Sequence, residues 1–127
     1  MAFIEIAPRQ AGRHVAGDVT LAIHRMGNRS TCWAIGLGAS AMAAAELQHR
    51  QRIAVAYDPT QRRIRLTRTD GPGFTLRQVN QACKGGRVTI TITPDRCLPH
   101  VTRAVALTDI TYAPGRVEGT VPKDAGA

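Results

Sequence analysis

Apolar and polar residues alternate with a period of two along most of this chain, the pattern of strands that bury one face. Val19, Leu21 and Ile23 alternate with Thr20, Ala22 and His24, and Trp33 and Ile35 mark a second short strand that Gly36 and Gly38 end. Between Ser40 and Leu47 the pattern changes. The run Ala41 to Leu47 is rich in Ala and Met, good helix formers, and Ser40 stands where an N-cap is expected. The period of two then returns. Ile53, Val55 and Tyr57 alternate with Ala54 and Ala56, Asp58-Pro59-Thr60-Gln61 supplies a turn, and Ile64 and Leu66 alternate with Arg63, Arg65 and Thr67. Strand, strand, short helix and hairpin are therefore expected up to Arg68.

Upstream, Met1 to Ile6 alternates as a candidate edge strand, and residues 9–14 read as a basic loop or arm containing Arg13. Downstream, Thr69-Asp70-Gly71-Pro72-Gly73 is a turn-rich joint and the candidate boundary between a module at 1–69 and a β-rich extension at 74–122. In that extension Phe74, Leu76 and Val79 suggest a strand. Lys84-Gly85-Gly86-Arg87 reads as a turn, and Val88, Ile90 and Ile92 alternate with threonines up to Pro94. Further strands are expected at 101–106, 107–112 and 117–121, followed by a loose tail.

The stretch from Val19 to Leu66 resembles the AbrB-like swapped-hairpin family of DNA-binding regulators and antitoxins. The likeness rests on Trp33, Ile35, Leu37, Ala44, Leu47, Ile53, Val55, Tyr57, Asp58, Ile64 and Leu66, with Val19–Arg25 as first strand, and covers about residues 17–68. Two positions depart from the pattern: Gly36-Leu37-Gly38 stands where the family usually has Pro, and Arg50-Gln51 where it usually has Gly-Asp. The resemblance implies a mainly β fold with one short helix: a small swapped-hairpin barrel, here followed by additional hairpins. It further implies a homodimer that holds duplex DNA through arginines on the loop after the first strand. By position these are Arg25 and Arg29, with His24 and Arg13 beside them.

Charge agrees with such a partner. The formal net charge is +8, from seventeen Lys and Arg against nine acids. A basic surface attracts phosphate backbones and releases their counterions, and Arg forks onto phosphate as Lys does not. Fifteen of the seventeen cations are Arg, spread over both halves of the chain. The cluster Arg62, Arg63, Arg65 and Arg68 stands out, with Arg63 and Arg65 on one strand face and therefore candidate DNA contacts.

Other chemistry is thinly represented. Gly36-Leu37-Gly38-Ala39-Ser40 lacks the long βαβ unit and distant carboxylate of a dinucleotide site, so neither a catalytic centre nor a cofactor is expected. Cys97 and His100 have the spacing of half a zinc site, with Cys83 fourteen residues upstream of Cys97, but no second pair accompanies them. No zinc site is assigned. Three cysteines make no disulfide framework, residues 1–10 do not read as a signal peptide, and no apolar run reaches the length of a bilayer span. The expectation is a cytoplasmic, non-enzymatic, dimeric DNA-binding protein without a membrane partner. The alternative is an interaction or structural protein, such as a phage-encoded component or inhibitor, that binds an acidic protein.

Overall fold

The computed structural model describes residues 18–25, 31–78, 85–93, 98, 99, 101 and 103–122. The expected β1 (Val19–Arg25) and β2 (Thr31–Leu37) form an antiparallel hairpin in which Leu21 faces Ile35 and Ile23 faces Trp33. The second expected hairpin is also present, as β3 (Arg52–Asp58) and β4 (Arg63–Arg68), with Val55 opposite Leu66 and Tyr57 opposite Ile64. Its turn is closed by Asp58, whose carboxylate accepts from the backbone N–H groups of Thr60 and Gln61.

The helix differs in detail from the expectation. It spans Ala39–Ala44, with Gly38 as N-cap and no side-chain capping bond, and β2 runs on through Gly36 to Leu37. Ser40 is already inside the helix, and its hydroxyl donates instead to the Asp18 carboxylate at 2.8 Å. So short a helix is marginal alone. It is held by burial of Ala41 and Met42 against the strands.

The remaining strands are β5 (Phe74–Thr75), β6 (Arg77–Gln78), β7 (Gly86–Thr91), β8 (Val105–Ala106), β9 (Thr108–Ala113) and β10 (Arg116–Thr120). Gly86 and Arg87, expected in a turn, belong to β7. All pairings are antiparallel, in two five-stranded sheets ordered β6-β7-β2-β1-β8 and β5-β3-β4-β10-β9. The architecture is thus mainly β with one short helix. Strands from residues 74–122 complete both sheets beside the two early hairpins.

The sheets are joined at both edges by chain that changes sheet within a single extended run. Phe74–Thr75 pairs with β3, the next residue is Leu76, and Arg77–Gln78 pairs with β7 in the other sheet. At the opposite edge Val105–Ala106 pairs with β1, Leu107 follows, and Thr108–Ala113 pairs with β10. Such corner strands are how packed sheets turn at their margins. Each corner residue points inward, Leu76 at 0% exposure and Leu107 at 6%.

Both corners need a glycine on the neighbouring strand. A Cβ at Gly86 would sit 2.7 Å from Leu76 Cδ1, and one at Gly119 would sit 2.9 Å from Leu107 Cβ. Between the sheets lies one apolar cluster that includes Leu21, Ile35, Ile53, Ile64, Leu66, Val88 and Val117 with both corner leucines. Trp33 is buried in it, and its indole N–H donates to the Pro99 carbonyl. Val55 and Tyr57 face the same cluster but are only partly buried. Cys32 is a buried free thiol. Among the described residues no helix is long and apolar enough to cross a membrane.

Candidate nucleic-acid interface

Alternation along β4 turns Ile64 and Leu66 into the core and leaves Arg63 and Arg65 on the outer face, as expected. That face also carries an acid which the sequence pattern left unassigned. Register puts Glu118 of β10 directly opposite Arg65. Arg65 Nε donates to Glu118 Oε1 at 2.8 Å, and Arg63 Nη2 to Oε2 at 3.4 Å. Arg63 is held further by the Thr120 hydroxyl at 2.9 Å and the Asp109 carbonyl at 3.2 Å. The hydrogen bond from Arg65, together with the charges of Arg65 and Arg63, holds the Glu118 carboxyl below its ordinary pKa. An open groove of about 290 Å³ runs beside these groups, walled by Tyr57, Asp58 and Gln61. Two arginines and two carboxylates line it, so its charge is balanced.

The rest of the expected arginine cluster is engaged in structure. Arg62, in left-handed backbone conformation, donates to the carbonyls of Val121 and Pro122 and ties the end of β10 to the hairpin turn. Arg68 lies opposite Ile53 at the sheet's end and donates to the Glu46 carbonyl beside the helix. Of the first-strand group, His24 lies on β1 opposite Cys32, and Arg25 is the last residue of that strand, opposite Thr31. Arg13 and Arg29 lie outside the described residues, as do Cys83, Cys97 and His100. The structure therefore brings Arg63 and Arg65 together, around Glu118, and sets His24 and Arg25 in the other sheet.

A second group of arginines surrounds the Leu76 corner. Arg77 of β6 stands directly opposite Arg87 of β7. On the other side of the bend, Arg52 of β3 is opposite Thr75. Arg50 precedes it, its backbone N–H donating to the Leu76 carbonyl at 2.7 Å. Thr75 and Arg77 are exposed on either side of the inward Leu76, so Arg52 and Arg77 both sit on the outer side of the corner. Among the described residues the ion pairs are those of Glu118, and Arg50, Arg52, Arg77 and Arg87 take part in neither. His49 Nε2 lies 3.1 Å from the Gly85 carbonyl and fastens the loop carrying Arg50 to the base of β7. None of these four arginines belongs to the clustered run that drew attention in the sequence. Only the strand register assembles them.

Near the Leu107 corner the polar groups are of opposite character. Asp18 accepts from the Ser40 hydroxyl and from Tyr112, whose own pKa is raised by burial and by that carboxylate. This small network ties the helix to β1 and β9. Among the described residues no three His, Cys, Asp or Glu side chains are grouped so as to hold a metal ion.

No protein-family model, curated protein or solved structure matches this chain.

Proposed function

We propose that this protein is a non-enzymatic DNA-binding protein that grips the phosphate backbone of duplex DNA. The observation behind the reading is the poor internal compensation of its charge. The chain carries +8, yet among the described residues a single carboxylate, Glu118, is engaged in ion pairs. Uncompensated guanidinium groups on an exposed surface are what release counterions when a polyanion binds.

The assembly proposed with this function is the dimer of AbrB-like regulators, built on residues 17–68 and serving as a transcription regulator or antitoxin-like protein in the cytoplasm. Exchange of a hairpin between two chains would keep the same strand pairings and make them between chains rather than within one. The contacts that the family likeness implies are Arg25, the last residue of β1, and Arg29, with Arg13 and His24, while Arg63 and Arg65 are the candidates from charge and already share Glu118. Sedimentation at micromolar concentration should give a species of twice 13.7 kDa. A lone monomer would remove the dimer and the family likeness together.

The direct test is titration of the full chain with short mixed-sequence duplex DNA at several salt concentrations. Affinity should fall with a log–log slope of about 0.9 per phosphate contacted. Absence of binding at low salt would overturn the reading in favour of an acidic protein partner.

A further inference from the structure

We infer that the phosphate-contacting surface is the Leu76 corner, with Arg50, Arg52, Arg77 and Arg87 as the groups that hold the DNA backbone. This rests on the DNA-binding reading and gives it a location. Three observations carry it.

The first is charge balance. Arg63 and Arg65 already share Glu118, so any phosphate would compete with a carboxylate at 2.8 Å. The corner arginines have no ion-pair partner among the described residues. Glu46, Asp58 and Asp70, the described acids nearest to them in sequence, make no ion pair with them.

The second is local cost. Like charges directly opposite on neighbouring strands destabilise a sheet, and Arg77 faces Arg87 in that way. Arg50 adds another. Its φ of 75° lies in the left-handed region, where glycine or asparagine would be cheaper. Arg62 also has positive φ, but its side chain bonds two carbonyls of the chain. The Arg50 side chain is exposed and has no such role among the described residues. Local rules broken together at one place mark a functional surface more often than a structural one.

The third is shape. Neighbouring strands lie about 4.8 Å apart and alternate residues along a strand about 6.7 Å apart. The path Arg87, Arg77, Thr75, Arg52 therefore spreads positive charge over roughly 10–15 Å. A path of this length suits a row of backbone phosphates rather than a single anion. The register spaces these arginines along the corner rather than gathering them round a single point.

The experiment compares wild type with two double variants of equal charge, Arg77→Gln/Arg87→Gln and Arg63→Gln/Arg65→Gln, against the same duplex. Each double variant removes two positive charges. The corner variant should lose at least about tenfold in affinity near physiological salt and flatten the salt slope by about 1.8. The hairpin-face variant should stay within about twofold of wild type. An Arg50→Gln/Arg52→Gln variant should repeat the corner result from the other sheet. Thermal unfolding guards against misfolding, and the Arg77→Gln/Arg87→Gln protein should melt at or above the wild-type temperature because a repulsion is gone. Inorganic phosphate should compete no better than chloride of equal ionic strength. Efficient competition would mean a single-anion site and would overturn the extended contact. Equal losses in the two Arg-to-Gln doubles, or a loss confined to the hairpin face, would also overturn it. If wild type itself binds no duplex, the functional reading fails and this inference with it, a result distinct from binding that ignores the corner.

Discussion

The two corners of this protein share a plan and differ in charge. At each, one extended run changes sheet at an inward leucine, Leu76 or Leu107. At each, a glycine on the next strand makes room for it, Gly86 or Gly119. Around Leu76 stand Arg50, Arg52, Arg77 and Arg87 without counter-ions among the described residues. Around Leu107 the chain bears Asp18 and Asp109, and Arg63 is bonded to the Asp109 carbonyl. The same mechanical solution has thus been surfaced in two ways. Since the architecture does not require arginine at a corner, the arginines at the first corner call for a reason outside the fold.

The leucines should matter most and nearly equally if the shared plan is right. Leu76→Ala and Leu107→Ala should each cost about 2–5 kcal/mol in denaturant unfolding, the range for buried truncations. Ile53→Ala and Leu66→Ala, fully buried on the inward face, belong in the same range, with Val55→Ala smaller because Val55 is partly exposed. A cost below about 0.5 kcal/mol at both corners would show that the sheets are not joined through these residues.

The glycines should separate the corners next. A Cβ at Gly119 meets Leu107 Cβ, which is fixed to the backbone, while one at Gly86 meets Leu76 Cδ1 and, at 3.1 Å, Met42 Sδ. Side-chain ends can move aside. Gly119→Ala should therefore cost more than Gly86→Ala, both in the overpacking range of about 1–3 kcal/mol. The reverse order would mean that the Leu107 corner yields more easily than its contacts imply.

How much of this was legible in the chain depended on whether the signal was local. The early hairpins follow from alternation in Val19–Ile23 and Ile53–Leu66, where one buried face imposes period two. The helix was legible as an element but not at its start. Ser40 is a good cap by type, yet Gly38 takes that place and Ser40 bonds Asp18, a residue twenty-two positions away. The run from Phe74 reads as one strand in the sequence for a physical reason: alternation tells which face a residue takes, and it is the same whether or not the run changes sheet at Leu76. Gly86 and Arg87 looked like a turn because composition cannot tell a close-packing glycine from a turning one. Glu118 lies more than fifty residues from Arg63 and Arg65, so their neutralisation appears only in the register of β4 with β10.

A smaller effect tests the charge side of the comparison through pH. The Glu118 carboxyl is lowered, first by the hydrogen bond from Arg65 and then by the charges of Arg65 and Arg63. A carboxylate with a lowered folded-state pKa adds stability above its unfolded pKa and loses it as pH falls through the folded value. Glu118→Gln should therefore flatten the acid limb of the stability–pH curve and leave the alkaline side unchanged.

The smallest expected effect has the opposite sign. Arg87→Gln should raise stability by about 0.2–1 kcal/mol, toward the lower end because Arg77 is exposed and solvent screens the repulsion. A loss of stability at low salt would mean that Arg87 is held by an attraction rather than opposed by its neighbour.

The most direct measurement is the amide NMR map of the full chain as short duplex DNA is added. The expected shifts centre on Arg50, Arg52, Thr75, Arg77 and Arg87, and the amides of Thr20, Ala106 and Thr108 at the other corner stay in place. Shifts centred on Arg63, Arg65 and Thr111, or on the Leu107 corner, would contradict the assignment of the DNA contact to the unpaired arginines.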